Sequence, residues 1–91
     1  MNTYEIVWEK IDGVSNAVVR FFEDGELSGS LYLTARYKPE VSEWHLLGEH
    51  DGQLFCDAPF VGYEEEAIQH LTTMAIAFYS GLTMSDYAPV A

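Results

Sequence analysis

The sequence predicts one α+β domain: an antiparallel β-meander of about five strands, with one C-terminal helix packed on one face. Asp-Gly occurs three times between runs rich in β-branched and aromatic residues. That dipeptide is a strong hairpin signal, because both residues tolerate positive φ. After Pro59 the apolar residues recur at spacings of three and four, which is the period of an amphipathic helix. Since hairpins need no parallel crossover, the strands are expected to be antiparallel.

The predicted strands fill the first two thirds of the chain, within residues 4–56. They are Tyr4–Ile11, Ala17–Glu23, Glu26–Tyr37, Glu43–Glu49 and Gln53–Cys56. The segment 38–42, which contains Pro39, separates the third strand from the fourth. Whether the last two strands continue the first sheet stays open, because their apolar residues do not alternate cleanly: Trp44, Leu46, Leu47 and Leu54.

The predicted helix spans about residues 63–80, and residues 82–91 are expected to form an irregular tail. One helical face is apolar and consists of Ala67, Ile68, Leu71, Ala75, Phe78 and Tyr79. Carboxylates in the first turn are favoured by the helix dipole, and Gly81 is expected to end the helix. Three tail residues are candidates for docking on the core: Leu82, Met84 and Tyr87.

The charge balance is strongly acidic, with 15 Asp and Glu against 4 Lys and Arg, for a formal charge of −11. Such a surface repels nucleic acid and anionic membranes and attracts basic partners. Direct nucleic-acid binding is therefore excluded as a function class. A plainer interpretation is that net charge keeps a small, aromatic-rich protein in solution.

The cellular compartment is expected to be the cytoplasm, that of a host cell if the protein is phage-encoded. One cysteine excludes an internal disulfide framework and suits a reducing compartment. The first ten residues lack the basic and apolar regions of a signal peptide. No stretch reaches the roughly 20 apolar residues of a membrane span.

Two assumed turns set the expected faces of the sheet. A two-residue turn at Asp24-Gly25 pairs Glu23 with Glu26, and a three-residue turn at residues 13–15 puts Glu5 opposite Glu23. Side chains alternate between faces, so each row must share one chemistry. The expected core face, with Arg20 as an exception, holds Tyr4, Ile6, Trp8, Val18, Phe22, Leu27, Leu31 and Leu33. The other face then holds Glu5, Glu9, Glu23, Glu26, Ser28, Ser30 and Thr34, mixed with Val7, Val19, Phe21 and Tyr32.

A row of three like charges across neighbouring strands, Glu5, Glu23 and Glu26, gives the fold nothing, since facing like charges are destabilising. We therefore expect a partner-binding role for the surface of Glu5, Glu9, Glu23, Asp24, Glu26, Phe21 and Tyr32. The helix-start carboxylates form a secondary partner-binding candidate: Glu64, Glu65 and Glu66. The alternative is that loops, the tail or a second copy of the chain cover this amphipathic face.

No catalytic residue, metal site or cofactor is predicted, and the protein is not expected to be an enzyme. Cys56 lacks a nucleophile motif, and Asp57 beside it raises rather than lowers a thiol pKa. Four residues with metal-ligand chemistry match no common zinc spacing: His45, His50, Cys56 and Asp57. Glycine-rich phosphate loops are also absent from the sequence.

The size, the acidity and the meander-plus-helix plan resemble those of small phage or mobile-element proteins that inhibit host defence, including anti-CRISPR proteins and DNA mimics. The resemblance is at class level, spans the whole chain and involves no diagnostic motif. It implies an inhibitor whose carboxylates stand in for nucleic-acid phosphates and block a basic, nucleic-acid-binding protein. The alternative is a structural or assembly module that forms a homodimer or hetero-oligomer through an open sheet face or an edge strand.

Overall fold

The computed structural model describes residues 1–90 as a six-stranded sheet with one helix across one face. The elements are β1 (Asn2–Ile11), β2 (Val14–Glu23), β3 (Glu26–Lys38), β4 (Glu43–His50), β5 (Gln53–Phe60), α1 (Glu64–Thr83) and β6 (Ala88–Pro89). Their order across the sheet is β5-β4-β3-β2-β1-β6. Strands β1 to β5 are antiparallel neighbours, whereas β6 pairs in parallel with β1. The predicted fold class is confirmed, and β4 and β5 continue the first sheet.

All three Asp-Gly pairs form two-residue hairpin turns with positive φ at both residues. At Asp12-Gly13 the φ angles are 52° and 79°, and the other two pairs have closely similar values. Positive φ at both central residues defines the type I′ turn, whose twist matches that of the flanking strands. The predicted three-residue turn at residues 13–15 is therefore wrong. Ile11 lies opposite Val14, and β2 begins three residues earlier than expected.

This turn changes the faces of β2. The observed pairing of β1 with β2 differs from the predicted one by three residues, and an odd shift exchanges the two faces of a strand. An irregularity in the β2–β3 ladder moves the pairing by one further residue, so that Leu31 lies opposite Val19. Consequently Val19 and Phe21 lie in the core. The expectation that Val18, Phe22 and Leu27 belong to the core face is wrong.

The core lies between the sheet and α1. Its buried members are Ala17, Val19, Phe21, Leu31, Leu33, Ala35, Trp44, Leu46 and Cys56 from the sheet, and Ala67, Leu71, Ala75 and Tyr79 from the helix. Phe21 and Tyr79 stack with their ring centroids 4.0 Å apart. The small side chains of Ala67 and Ala75 face the sheet, so the helix approaches the strands closely. Trp44 Nε1 donates a hydrogen bond of 3.1 Å to the Gly62 carbonyl, which fixes the connection from β5 to α1.

The ends of α1 differ from the sequence expectation on the C-terminal side only. Gly81 lies inside the helix, which ends at Thr83 where Met84 adopts the left-handed conformation at φ 58°. Tyr87 is buried against the core as expected, whereas Leu82 and Met84 are exposed, so those two docking predictions are wrong. Val90 N–H donates to the Tyr4 carbonyl at 2.9 Å, beside β6. Within residues 1–90, no helix is long and apolar enough to cross a lipid bilayer.

Candidate protein-binding surface

The face of the sheet opposite α1, called the open face below, carries an apolar row across three strands. Val7, Val18 and Tyr32 lie side by side on β1, β2 and β3. Val7 is 58% exposed and Tyr32 is 55% exposed. Other large apolar residues exposed by more than half on this face are Ile11, Leu27 and Leu54. Isolated exposed apolar residues are ordinary, whereas an adjacent row such as Val7, Val18 and Tyr32 is a candidate for an interaction surface.

A shallow depression of about 330 Å³ lies along this row. The side chains around it include Val7, Glu9, Asn16, Val18, Arg20, Tyr32 and Thr34. Thr34 Oγ1 donates to Asn16 Oδ1 at 3.3 Å, and Asn16 Nδ2 donates to the Val14 carbonyl at 3.2 Å. The depression thus has an apolar floor and a polar rim, which is the usual composition of a protein interface.

The open face carries charges of both signs. Its cations are Arg20, Arg36 and Lys38, three of the four Lys and Arg side chains of the protein. Its carboxylates are Glu5, Glu9, Glu43, Glu49 and Asp57. Glu5 Oε1 is 3.6 Å from Arg20 Nη1, and His45 Nε2 is 2.5 Å from Asp57 Oδ1. The predicted row of Glu5, Glu23 and Glu26 does not exist, because the residue opposite Glu5 is Arg20.

The remaining carboxylates lie at the two ends of the sheet, called the acidic ends below. One end holds Glu23, Asp24, Glu26, Asp51 and Asp86, and the other holds Asp12, Glu40, Glu64, Glu65 and Glu66. The single Lys or Arg side chain outside the open face is Lys10, whose Nζ is 2.9 Å from Glu64 Oε2. The charge of the molecule is therefore segregated, with a mixed open face between two acidic ends.

The predicted partner-binding residues divide between these surfaces. Glu5, Glu9 and Tyr32 lie on the open face, whereas Glu23, Asp24 and Glu26 lie at the acidic end around the second hairpin turn. Phe21 is 0% exposed and belongs to the core, so its prediction as a contact residue is wrong.

Several of the predicted carboxylates already have partners within the chain. Glu23 accepts a hydrogen bond of 2.8 Å from the Tyr87 hydroxyl. Asp24 Oδ1 is 2.7 Å from the N-terminal amine, which holds the pKa of that carboxyl below its ordinary value. In the secondary candidate, Glu64 pairs with Lys10 and Glu66 accepts the Tyr63 N–H at 2.8 Å. Part of the acidity thus serves the fold itself.

The residues with metal-ligand or nucleophile chemistry are split over the two faces. His45 and Asp57 lie on the open face, whereas Cys56 is buried and His50 lies edge-on to the Phe78 ring at 5.8 Å. Burial raises the pKa of the Cys56 thiol and Asp57 raises it further, which is the opposite of what a thiolate nucleophile requires. Within the part of the chain that the structure describes, no group of three or more His, Cys, Asp or Glu is placed to hold a metal ion.

Arg20 was expected on the core side, whereas it lies on the open face opposite Glu5. A two-residue turn at Asp12-Gly13, like those at the other two Asp-Gly pairs, is the sequence signal that places Arg20 there, since this turn alone restores the observed pairing of β1 with β2. The structure defines an α+β domain whose sheet is covered by a helix on one face and open on the other. Comparison with protein-family models, with curated proteins and with solved structures finds no match to this chain.

Proposed function

We propose that this protein is a non-enzymatic binding protein that docks another protein on its open face. The observation that supports this function is the exposed row of Val7, Val18 and Tyr32. The solvated face of an antiparallel sheet normally carries polar side chains, and cross-strand pairing within this row contributes only about 0.2–1 kcal/mol per pair to the fold. Full burial of a fully exposed large apolar side chain contributes about 1.5–3 kcal/mol, and Val7 and Tyr32 each have somewhat more than half of their surface left to bury, so covering the row contributes on the order of a few kcal/mol.

The neighbours of the row favour a protein partner over a small ligand. Tyr and Arg are the residue types that most often dominate protein interfaces, and Tyr32 and Arg20 flank the same depression. The depression lies on the surface of a sheet, whereas small-molecule sites are deep and bury most of their ligand. A broad contact around a tyrosine anchor therefore agrees best with this geometry.

An immobilised-protein capture experiment tests the proposal. Wild-type protein, Tyr32→Glu and Val41→Glu are each exposed to the same lysate, and retained proteins are identified by mass spectrometry. Val41 is 54% exposed in the turn between β3 and β4, so it matches Tyr32 in exposure and in the charge introduced. We expect wild type and Val41→Glu to retain the same partner and Tyr32→Glu to lose it. Equal retention of a lysate protein by all three contradicts the proposal, whereas retention of none by any of them leaves self-association of the chain as the test of the open face.

A second candidate is the acidic inhibitor of the phage anti-defence or anti-CRISPR type. It is supported by the acidic ends, where Lys10 is the one Lys or Arg side chain among the carboxylates. A basic groove shaped for a polyanion would bind such an end with fast, salt-sensitive association. In this case the site moves from the open face to the end that contains Glu26 and Asp51.

The two candidates separate in the same capture experiment. An acidic inhibitor retains a basic, nucleic-acid-binding protein that leaves at moderate salt and is displaced by an oligonucleotide. Its capture is lost in the double variant Glu26→Lys with Asp51→Lys and survives Tyr32→Glu. The reverse pattern supports docking on the open face and excludes the acidic ends as the site.

A further inference from the structure

We infer that the occupant of the open face is a second copy of this chain. In this dimer the two sheets pack face to face, and each helix lies on the outside. The inference rests on the proposed function, because it names the partner of the same surface. It is supported by two properties of that surface, its charges and its area.

The charges of the open face allow it to pair with the open face of a second chain. The face carries three cations, Arg20, Arg36 and Lys38, among five carboxylates, so cations of one copy can face carboxylates of the other. The acidic ends have no such property, since like charges facing each other repel. Two copies therefore repel less through the open face than through the acidic ends.

The area of the open face is sufficient for a stable dimer. Five strands about 4.8 Å apart, each at least eight residues long at about 3.4 Å per residue, give a face of roughly 24 by 27 Å, or about 650 Å². Each partner in a standard protein interface buries about 600–1,000 Å². Stacked sheets interdigitate their side chains about 10 Å apart. Val18 and Tyr32, on the interior strands β2 and β3, would lie near the middle of that layer.

Because each chain carries a net charge of −11, the effect of salt distinguishes self-association from binding of a basic partner. Two such chains repel over long range, and salt shortens that range to about 8 Å at physiological ionic strength. Burial of the apolar row is not weakened by salt, and ion pairs between partly exposed side chains contribute only about 0–1 kcal/mol each. Self-association is therefore expected to strengthen as salt is added, whereas binding of a basic partner weakens.

Sedimentation of the purified chain tests the inference. Concentrations from about 1 µM to about 1 mM are measured at low and at high sodium chloride. We expect a monomer–dimer equilibrium whose dissociation constant falls several-fold with salt. The variant Val7→Glu buries a new charge in the interface and should raise the dissociation constant at least about tenfold.

The matched control is Val41→Glu, which makes the same substitution at a residue that is 54% exposed, against 58% for Val7, and lies outside the open face. It should leave the dissociation constant unchanged. Tyr32→Glu is the second interface variant, used if Val7→Glu fails to fold by circular dichroism. A chain that is monomeric throughout overturns the inference. A dimer that survives both open-face variants forms through another surface and overturns it as well.

Failure of this inference is distinguishable from failure of the proposed function. If the chain is monomeric up to about 1 mM while Tyr32→Glu abolishes capture of a lysate protein, the second copy is overturned and open-face docking stands. If the chain is monomeric and capture is equal for wild type and Tyr32→Glu, both are overturned. A dimer disrupted by Val7→Glu but not by Val41→Glu supports both.

Discussion

Glu5 lies opposite Arg20 in the β1–β2 ladder, with its Oε1 atom 3.6 Å from Arg20 Nη1. In the sheet predicted from sequence, Glu5 faced Glu23 and belonged to a row of like charges. The two arrangements differ by three residues, and this difference decides which β2 side chains enter the core. They also predict opposite effects for a charge reversal at Glu5.

Glu5→Lys is expected to lower the free energy of unfolding by about 0.2–1 kcal/mol, because the lysine would lie opposite Arg20. Urea denaturation at low salt measures the effect. The exchanged pair Glu5→Arg with Arg20→Glu should regain most of the loss, since opposite charges again face each other. A more stable Glu5→Lys variant would instead support the row of like charges.

The general architecture was predictable because its signals are local. Each Asp-Gly turn and the change of apolar period after Pro59 can be identified without knowledge of the tertiary contacts. The faces of the sheet were not predicted correctly, because they depend on single-residue shifts. A first turn that was assumed to begin one residue later and to be one residue longer placed Phe21 on the solvent side. The irregularity between Phe21 and Phe22 has no sequence signature.

A second irregularity accounts for the poor alternation of apolar residues in β5. The ladder shifts between Gly48 and Glu49, so Phe55 turns toward α1, where its ring stacks on Phe78 at 4.4 Å. Leu54 then remains exposed on the open face. The mixed composition of the open face could therefore not be predicted from the sequence, because it depends on how the strands pair.

Gly48→Ala is expected to destabilise the protein by about 1–3 kcal/mol, because the added methyl group would overlap the Phe55 ring. That ring cannot withdraw freely, since it is stacked on Phe78. Gly81→Ala is the matched substitution, with open space around it inside α1. It should stabilise the protein by about 1 kcal/mol through helix propensity. Thermal and urea unfolding measure both, and a neutral Gly48→Ala would disprove the close packing.

Glu66→Ala is expected to cost about 1 kcal/mol, because the Glu66 carboxylate accepts the Tyr63 N–H at the start of α1. Glu65→Ala removes the same charge from the same turn without removing that hydrogen bond. The Glu65→Ala substitution should cost only the helix-dipole contribution, about 0.3 kcal/mol for a side chain exposed at the surface. Urea unfolding compares the two variants. Equal losses would mean that the charge matters and the hydrogen bond does not.

Cys56 is expected to make the protein less stable as the solution becomes alkaline. Its thiol pKa is raised in the folded state, by burial first and by Asp57 second, so the folded state holds the proton more tightly than the unfolded state. The contribution of the protonated thiol to the free energy of unfolding is therefore complete below the unfolded thiol pKa of about 8.5. It falls as the pH rises through and above that value. Urea midpoints between about pH 7 and pH 9.5 should fall less steeply in Cys56→Ala than in wild type. Parallel slopes would contradict a buried, protonated thiol.

The position of α1 after all five strands of the meander has a consequence for synthesis. A ribosome releases the strands first, and adjacent hairpins can pair as they emerge. Until the helix follows, Phe21, Leu31 and Leu33 have no cover, although they are fully or almost fully buried in the finished protein. The nascent sheet is thus exposed on both faces until α1 packs against one of them. During that interval the uncovered apolar face is the part of the chain most prone to aggregation.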